Sequence, residues 1–356
     1  MSDLIADNCV GVPVARLACP ASGKEVMSYE NRPCNDLKAL MIALCVMGLF
    51  LLTGIGAMAD NIFTAGYANN PINPNLDGAI YEFNSSGQPT IFASGLEISP
   101  YAMALDSSGN LYAQGYNSIL EFNSSGQSSV FETGVQVGGM AFDNNNGNLY
   151  AISGTNILQF NSSGQYSIFA SVLLNFSGQG SANHLAIDNL GNLYVSLIGM
   201  GIIEKFNSSG IGSIFASGLI SPRGLAVDSQ NNVYVTGGGG GTPPILKFTP
   251  NGQQLSYSGY GTGLYNPQGL ACDSGGNVFA VDNDPNLSPE PIYRFDTNGN
   301  AGIFANLGDF NYLPGGIAIQ QTPEPTTSTM IALGCLAFLG LRACALHRTS
   351  QRCGIA

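Results

Sequence analysis

Between residues 60 and 321 the apolar positions fall in short alternating runs bounded by Gly, Asn and Ser. That is the period-two pattern of half-buried strands, and no stretch of it keeps the 3.6-residue period of a helix. The runs recur. Phe-Asn-Ser-Ser-Gly begins at Phe83, Phe122, Phe160 and Phe206, with diverged copies at Phe248 and Phe295. Successive Phe spacings of 39, 38, 46, 42 and 47 residues suit a repeating unit of four short strands. The first strand of the unit reads Gly-Leu-Ala-Val-Asp (224–228), with counterparts at 102–106, 139–143, 184–188, 269–273 and 316–320. Gly-Asn-Leu-Tyr-Ala (109–113), Ile-Leu-Glu-Phe (119–122) and Ser-Ile-Phe-Ala (167–170) typify the second, third and fourth. The Gly-Asn and Asn-Ser-Ser-Gly links are turn chemistry: Gly accepts positive φ, and Asn bonds back to its own backbone.

The last unit stops at Gly316-Ile-Ala-Ile-Gln320 and supplies no second strand of its own. The missing strand stands at the other end of the repeat region, where Asn61-Ile62-Phe63-Thr64-Ala65-Gly66-Tyr67 aligns with Asn110–Tyr116. Pairing the two ends closes a ring and removes two exposed edges. The expected fold is all-β: a six-bladed β-propeller of four-stranded blades over 60–321, its N-terminal strand closing the last blade.

The flanks read as addresses. Residues 39–57 carry no charge, follow Lys38 and end in Ala57-Met58-Ala59, the layout of a secretory signal peptide over 38–59. A polar leader, 1–37, precedes it, and Met27 would give a more ordinary start. An uncleaved membrane helix is the alternative for this segment. The C-terminal segment, 322–356, combines Pro323-Glu324-Pro325, the apolar run Met330–Leu341, and a tail bearing Arg342, His347, Arg348 and Arg352. In that order the three parts resemble the PEP-CTERM sorting signal of Gram-negative bacteria, although Arg342 stands apart from the next basic pair. The resemblance implies an exosortase-type partner, a short transmembrane helix before processing, and a destination at the cell surface, outer membrane or extracellular matrix.

Charge and cysteine divide along the same lines. The chain has a net charge of −12, with only 10% charged residues and no Trp. Within 60–321 four basic residues, Lys205, Arg223, Lys247 and Arg294, face 17 acidic ones. So acidic a ring excludes nucleic acid as a partner, since phosphate contacts need clustered Lys and Arg. Of eight cysteines only Cys272 lies in the ring, which can form no disulfide of its own.

Pro222-Arg223-Gly-Leu-Ala-Val-Asp-Ser-Gln-Asn-Asn-Val-Tyr-Val235 and its counterpart from Pro267 to Asp282 resemble NHL repeats, and also the gluconolactonase (SMP-30) and streptogramin-lyase propellers. The resemblance implies the propeller fold across all six units, but those families include scaffolds, lactonases and lyases. Ligands of such rings sit where the innermost strands begin. Tyr101, Asn183, Arg223 and Gln268 stand just before that strand, with His184 where Gly is usual. They form the expected ligand-binding set, with His184 and Arg223 as candidates for acid–base work. Tyr67, Tyr116, Asn156, Asp282 and Asp284 join them from neighbouring loops. The lactonases of this fold hold their metal through Glu, Asn and Asp on different blades. Here Asn183, Asp282 and Asp284 are candidate ligands for calcium or magnesium, but no Glu occupies the matching place. Asp106, Asp143, Asp188, Asp228 and Asp273 follow the first strands in register and read as turn residues rather than a metal ring. The balance favours an exported, surface-sorted, non-enzymatic binding or matrix protein associated with polysaccharide. The alternative is a metal-dependent lactonase or lyase.

Overall fold

A computed structural model describes residues 60–67, 78–97, 100–173, 182–237, 245–257, 264, 267–282, 291–306 and 316–320. The leader, the signal segment, the sorting tripeptide Pro323-Glu324-Pro325 and the apolar run after it lie outside these residues. Among the described residues, no helix is long and apolar enough to cross a membrane.

The described chain opens with β1 (Asn61–Tyr67), β2 (Gly78–Phe83) and β3 (Pro89–Leu96). Blade 1 follows as β4 (Met103–Leu105), β5 (Leu111–Gln114), β6 (Ser118–Phe122) and β7 (Ser128–Thr133). Blade 2 is β8 (Met140–Asp143), β9 (Asn148–Ser153), β10 (Asn156–Phe160) and β11 (Tyr166–Ser171). Blade 3 is β12 (Ala182–Ile187), β13 (Leu193–Leu197), β14 (Ile202–Phe206) and β15 (Gly212–Ala216). Blade 4 is β16 (Leu225–Val227), β17 (Val233–Thr236), β18 (Ile245–Phe248) and β19 (Gln254–Leu255). Blade 5 is β20 (Pro267–Cys272), β21 (Val278–Asp282), β22 (Pro291–Phe295) and β23 (Ala301–Asn306), and the chain ends the ring with β24 (Ile317–Gln320). All six sheets are four-stranded and antiparallel, and the sixth has the order β24-β1-β2-β3. The innermost strands touch in sequence from β4 through β8, β12, β16 and β20 to β24 and back to β4. The expected six-bladed propeller is the fold observed, including its closure. β1 pairs β24 over Asn61↔Gln320 to Thr64↔Ile317, and Thr64 Oγ1 donates to the Gly316 carbonyl at 3.0 Å. Asp60 adds a bond to the neighbouring blade, accepting the Ser274 N–H at 2.7 Å.

The core is not inside the blades but between them. Six clusters of buried apolar residues occur, and each straddles two adjacent blades. An aromatic pair repeats in every blade. The second-strand ring (Phe63, Tyr112, Tyr150, Tyr194, Tyr234, Phe279) meets a fourth-strand ring (Phe92, Phe131, Phe169, Phe215, Tyr257, Phe304) edge-on at 5.0–5.2 Å. Such pairs add about 0.5–1.5 kcal/mol each beyond the area they bury. A β-bulge aims the fourth-strand ring inward. In five blades the ladder between third and fourth strands skips one residue, and the skipped residues are Phe92, Phe131, Phe169, Phe215 and Phe304. The residue before each bulge points outward instead, leaving Ile91, Val130, Ile168, Ile214 and Ile303 exposed.

The Phe-Asn-Ser-Ser-Gly phrase carries the contact to the preceding blade. Its Phe packs on the fourth-strand ring of that blade, as in Phe92–Phe122 and Phe131–Phe160 at 6.1 Å. Its Asn folds the turn: Asn123 Oδ1 accepts the Ser125 and Gln127 N–H groups at 3.0 and 3.1 Å. Its Gly adopts φ near +75° and lies flat against the carbonyl of the same fourth-strand aromatic. A Cβ at Gly210 would come within 2.6 Å of the Phe169 oxygen, and one at Gly252 within 2.8 Å of the Phe215 oxygen. Gly87, Gly126 and Gly164 meet Phe304, Phe92 and Phe131 in the same way.

Gly210→Ala and Gly134→Ala separate the two demands on this glycine. Both positions have positive φ, but Gly134 has nothing within 4 Å of a prospective Cβ. Gly134→Ala is expected to cost about 1–2 kcal/mol for φ alone. Gly210→Ala should cost about 1–3 kcal/mol more, because blade 3 must move off blade 2. Equal midpoints for the two variants in chemical denaturation would refute the contact.

Candidate functional site

The entrance to the ring is built by the first residues of the innermost strands. Adjacent strands converge so closely there that side chains are nearly excluded. A Cβ at Gly224 would lie 2.8 Å from the Gln268 carbonyl, and one at Gly316 would lie 2.9 Å from that of Tyr101. Groups from the neighbouring second strand fix these residues. Thr236 Oγ1 accepts the Gly224 N–H at 2.8 Å, Ser196 Oγ accepts that of His184 at 3.3 Å, and Gln114 Oε1 accepts that of Tyr101 at 3.3 Å. One residue further in, Met103, Met140, Leu185, Leu225, Leu270 and Ile317, one from each blade, line the channel. Together with Tyr101 and His184 they line a cavity of about 50 Å³ walled by all six blades.

The expected ligand-binding residues fall into two pairs at this entrance. Tyr101 and His184 border the cavity, Tyr101 half exposed and His184 partly buried. Arg223 and Gln268, on adjacent blades, are joined by Nη1 donating to Oε1 at 2.9 Å. Arg223 Nε is buried and has no hydrogen-bond partner among the described residues. Burial and the Arg223 charge together push the His184 imidazole down to about 4, so it is neutral at physiological pH.

The remaining sequence candidates are placed differently. Asn183 belongs to β12 next to His184, but its side chain is not among those described. Asp282 ends β21, fully buried and opposite Pro267; Asp284 lies outside the described residues. Among the described residues no three His, Cys, Asp or Glu side chains converge as a metal site. Tyr116 is exposed, Asn156 opens β10 and accepts the Ser171 hydroxyl at 2.8 Å, and the side chain of Tyr67 is not described.

The in-register aspartates make turns. Asp228 Oδ1 accepts the Gln230 and Asn232 N–H groups at 2.9 and 2.8 Å, while Oδ2 takes the Asn232 amide and the Tyr234 hydroxyl. Asp188 repeats the pattern with Leu190, Asn192 and Tyr194. Lys247 and Lys205 then bridge to these carboxylates at 3.9 and 4.0 Å while lying over the Tyr234 and Tyr194 rings at 4.9 and 5.0 Å. Two of the four cations of the ring are thereby structural.

One buried acid escaped the sequence reading. Glu204, on β14, is almost wholly buried, and its Oε2 accepts the Leu173 N–H at 2.8 Å. Burial raises its pKa, and the Leu173 bond offsets only part of the rise. The signal was available, for the same position in the other blades holds Tyr81, Leu120, Leu158, Leu246 and Tyr293.

Comparison with known proteins supports the fold. Residues 210–243 match a family model described as a beta-propeller repeat. No curated protein matches significantly. Among solved structures, TolB from Acinetobacter baumannii superposes with a TM-score of 0.58 at 13% identity, over 79% of this chain and 71% of that one. A chain of a nidogen/laminin complex gives 0.57 at 15% identity, over 74% and 100%. A streptogramin B lyase gives 0.50 at 12% identity, over 73% and 91%. At such identities the likeness is one of architecture, and it spans a chain of a protein complex and a lyase alike.

The two perturbed groups predict opposite pH dependences. Unfolding lets His184 protonate near pH 6.5, whereas the folded protein resists until about pH 4. Stability should therefore fall as pH drops from 6.5 to 4, by up to about 1.4 kcal/mol per unit, and His184→Gln should flatten that limb. Glu204 binds its proton more tightly when folded. Its contribution should be lost as pH rises above the usual carboxylate range, a decline that Glu204→Gln removes. Melting curves recorded from pH 4 to 8 check both slopes.

Proposed function

We propose that this protein is an exported, surface-sorted propeller that binds a polar ligand of the extracellular polysaccharide or matrix at its channel entrance, without chemistry. The observation that carries the reading is the kind of group gathered there. Among the described residues the entrance sets the neutral His184 imidazole on a small cavity lined also by Met, Leu and Ile, with the Arg223 guanidinium and the Gln268 amide bonded to each other near the start of the strands that wall it. These are hydrogen-bond donors and acceptors of fixed protonation near neutral pH, suited to holding hydroxyls and charged substituents. Export rests on the uncharged segment 39–57 with its Ala57-Met58-Ala59 end. Sorting rests on Pro323-Glu324-Pro325 with the apolar run and basic tail, for which an exosortase-type enzyme is the expected partner.

Two measurements test this. The purified protein is expected to retain polysaccharide from the producing cells and to turn over no lactone, with or without added calcium or magnesium. Stoichiometric calcium or magnesium together with lactone turnover, both lost in Asn183→Ala or Asp282→Ala, would replace the binding reading with the lactonase or lyase one. Separately, replacing Pro323-Glu324-Pro325 by three alanines should leave the protein in the inner-membrane fraction. Unchanged surface exposure of that variant would remove the sorting assignment.

A further inference from the structure

Two departures from the repeat stand together at the entrance, and the fold requires neither. The position of Arg223 holds Tyr101, Gly138 and Gln268 in other blades, and that of His184 holds Ala102, Gly139, Gly224, Gly269 and Gly316. Each blade can therefore be built without them. Arg223 is also unlike the other cations of the ring. Lys205 and Lys247 have carboxylate partners and Arg294 is exposed on the outside of blade 5, but Arg223 is partly buried and pairs with no described carboxylate. Among the described residues its side-chain bond is to a neutral amide, from Nη1 to Gln268. A guanidinium partly buried without a counter-charge is costly. Gln268 holds one arm of the fork, and neutral His184 nearby neither competes for an anion nor repels the guanidinium with a second positive charge.

We propose that this arrangement is a carboxylate-binding site, in which Arg223, steadied by Gln268 and flanked by His184, receives the carboxylate of an acidic sugar. The planar fork matches a carboxylate better than any neutral hydroxyl does. The inference rests on the binding function proposed above and names the ligand chemistry it would take.

The test uses the full chain, with glucuronate and glucose as probes and the His184 imidazole resonances as the reporter. Glucuronate is expected to shift those resonances saturably, and glucose is not. Arg223→Gln should weaken glucuronate binding at least tenfold. Gln268→Glu should weaken it by a similar factor while keeping the fold, because it places a carboxylate of the protein's own where the 2.9 Å amide contact now lies. That second variant decides the matter if Arg223→Gln fails to fold. Undiminished glucuronate binding in Gln268→Glu would overturn the proposal. Glucose binding equal to glucuronate in the wild type and both variants would overturn it too, while leaving a binding role for the entrance. No saturable shift with either sugar, and no retained polysaccharide, would overturn both.

Discussion

The structure depends on one contact repeated, among the described residues, at five of the six blade boundaries: a glycine of an outer hairpin pressed on the carbonyl of the bulged aromatic in the blade before it. The bulge and the glycine need each other. Skipping one residue in the ladder turns the aromatic inward to meet its second-strand partner, and this presents its carbonyl at the blade surface. Only a residue without Cβ can lie against that oxygen. The spacing between blades at the rim follows from this contact. Because the blades splay from a common axis, rim spacing also sets how tightly the inner strands converge. The narrow entrance, with its Gly224 and Gly316, is the inner end of the same geometry.

The convergence makes the entrance selective about what it displays. Met, Leu and Ile line the channel, and most first positions are reduced to Gly or Ala. What chemistry the entrance has comes from the few sites where the repeat is broken. His184 and Arg223 are such breaks, and one acts on the other: the guanidinium charge lowers the imidazole pKa, which burial has already depressed. The turn aspartates show the opposite case. They look chemical because they are regular, and their regularity reflects turn hydrogen bonds and Lys–Tyr bracing.

Much of the architecture was legible in the sequence because its signals are local. Phe-Asn-Ser-Ser-Gly marks each outer hairpin, Asp with a following Asn marks each inner turn, and the orphan strand Asn61–Tyr67 announces the closure. The bulges were not legible. Regular alternation would set Phe169 and Ala170 of Ser-Ile-Phe-Ala on opposite faces, whereas the skipped residue lets Phe169 pack on Tyr150 while Ala170 is buried in the same cluster. At the entrance, the sequence placed Arg223, Gln268 and His184 at the start of the innermost strands. It could not supply the bond from Nη1 to Oε1 or the neutral state of His184, which arise from convergence of blades about 40 residues apart. Glu204 was legible in principle as the one acid in a column of apolar residues.

The closure has a mechanical side. Asn61 and Gln320 are direct partners, so the chain enters and leaves the ring at the same end of the same antiparallel ladder. A force that draws the two flanks apart loads the β1–β24 pairing one rung at a time, beginning at Asn61 and ending at Thr64, instead of shearing all four rungs together. The ring would yield as a zipper does. A molecule held at the surface by one flank alone bears no load across this seam. One held by both has its weakest line where its two ends meet.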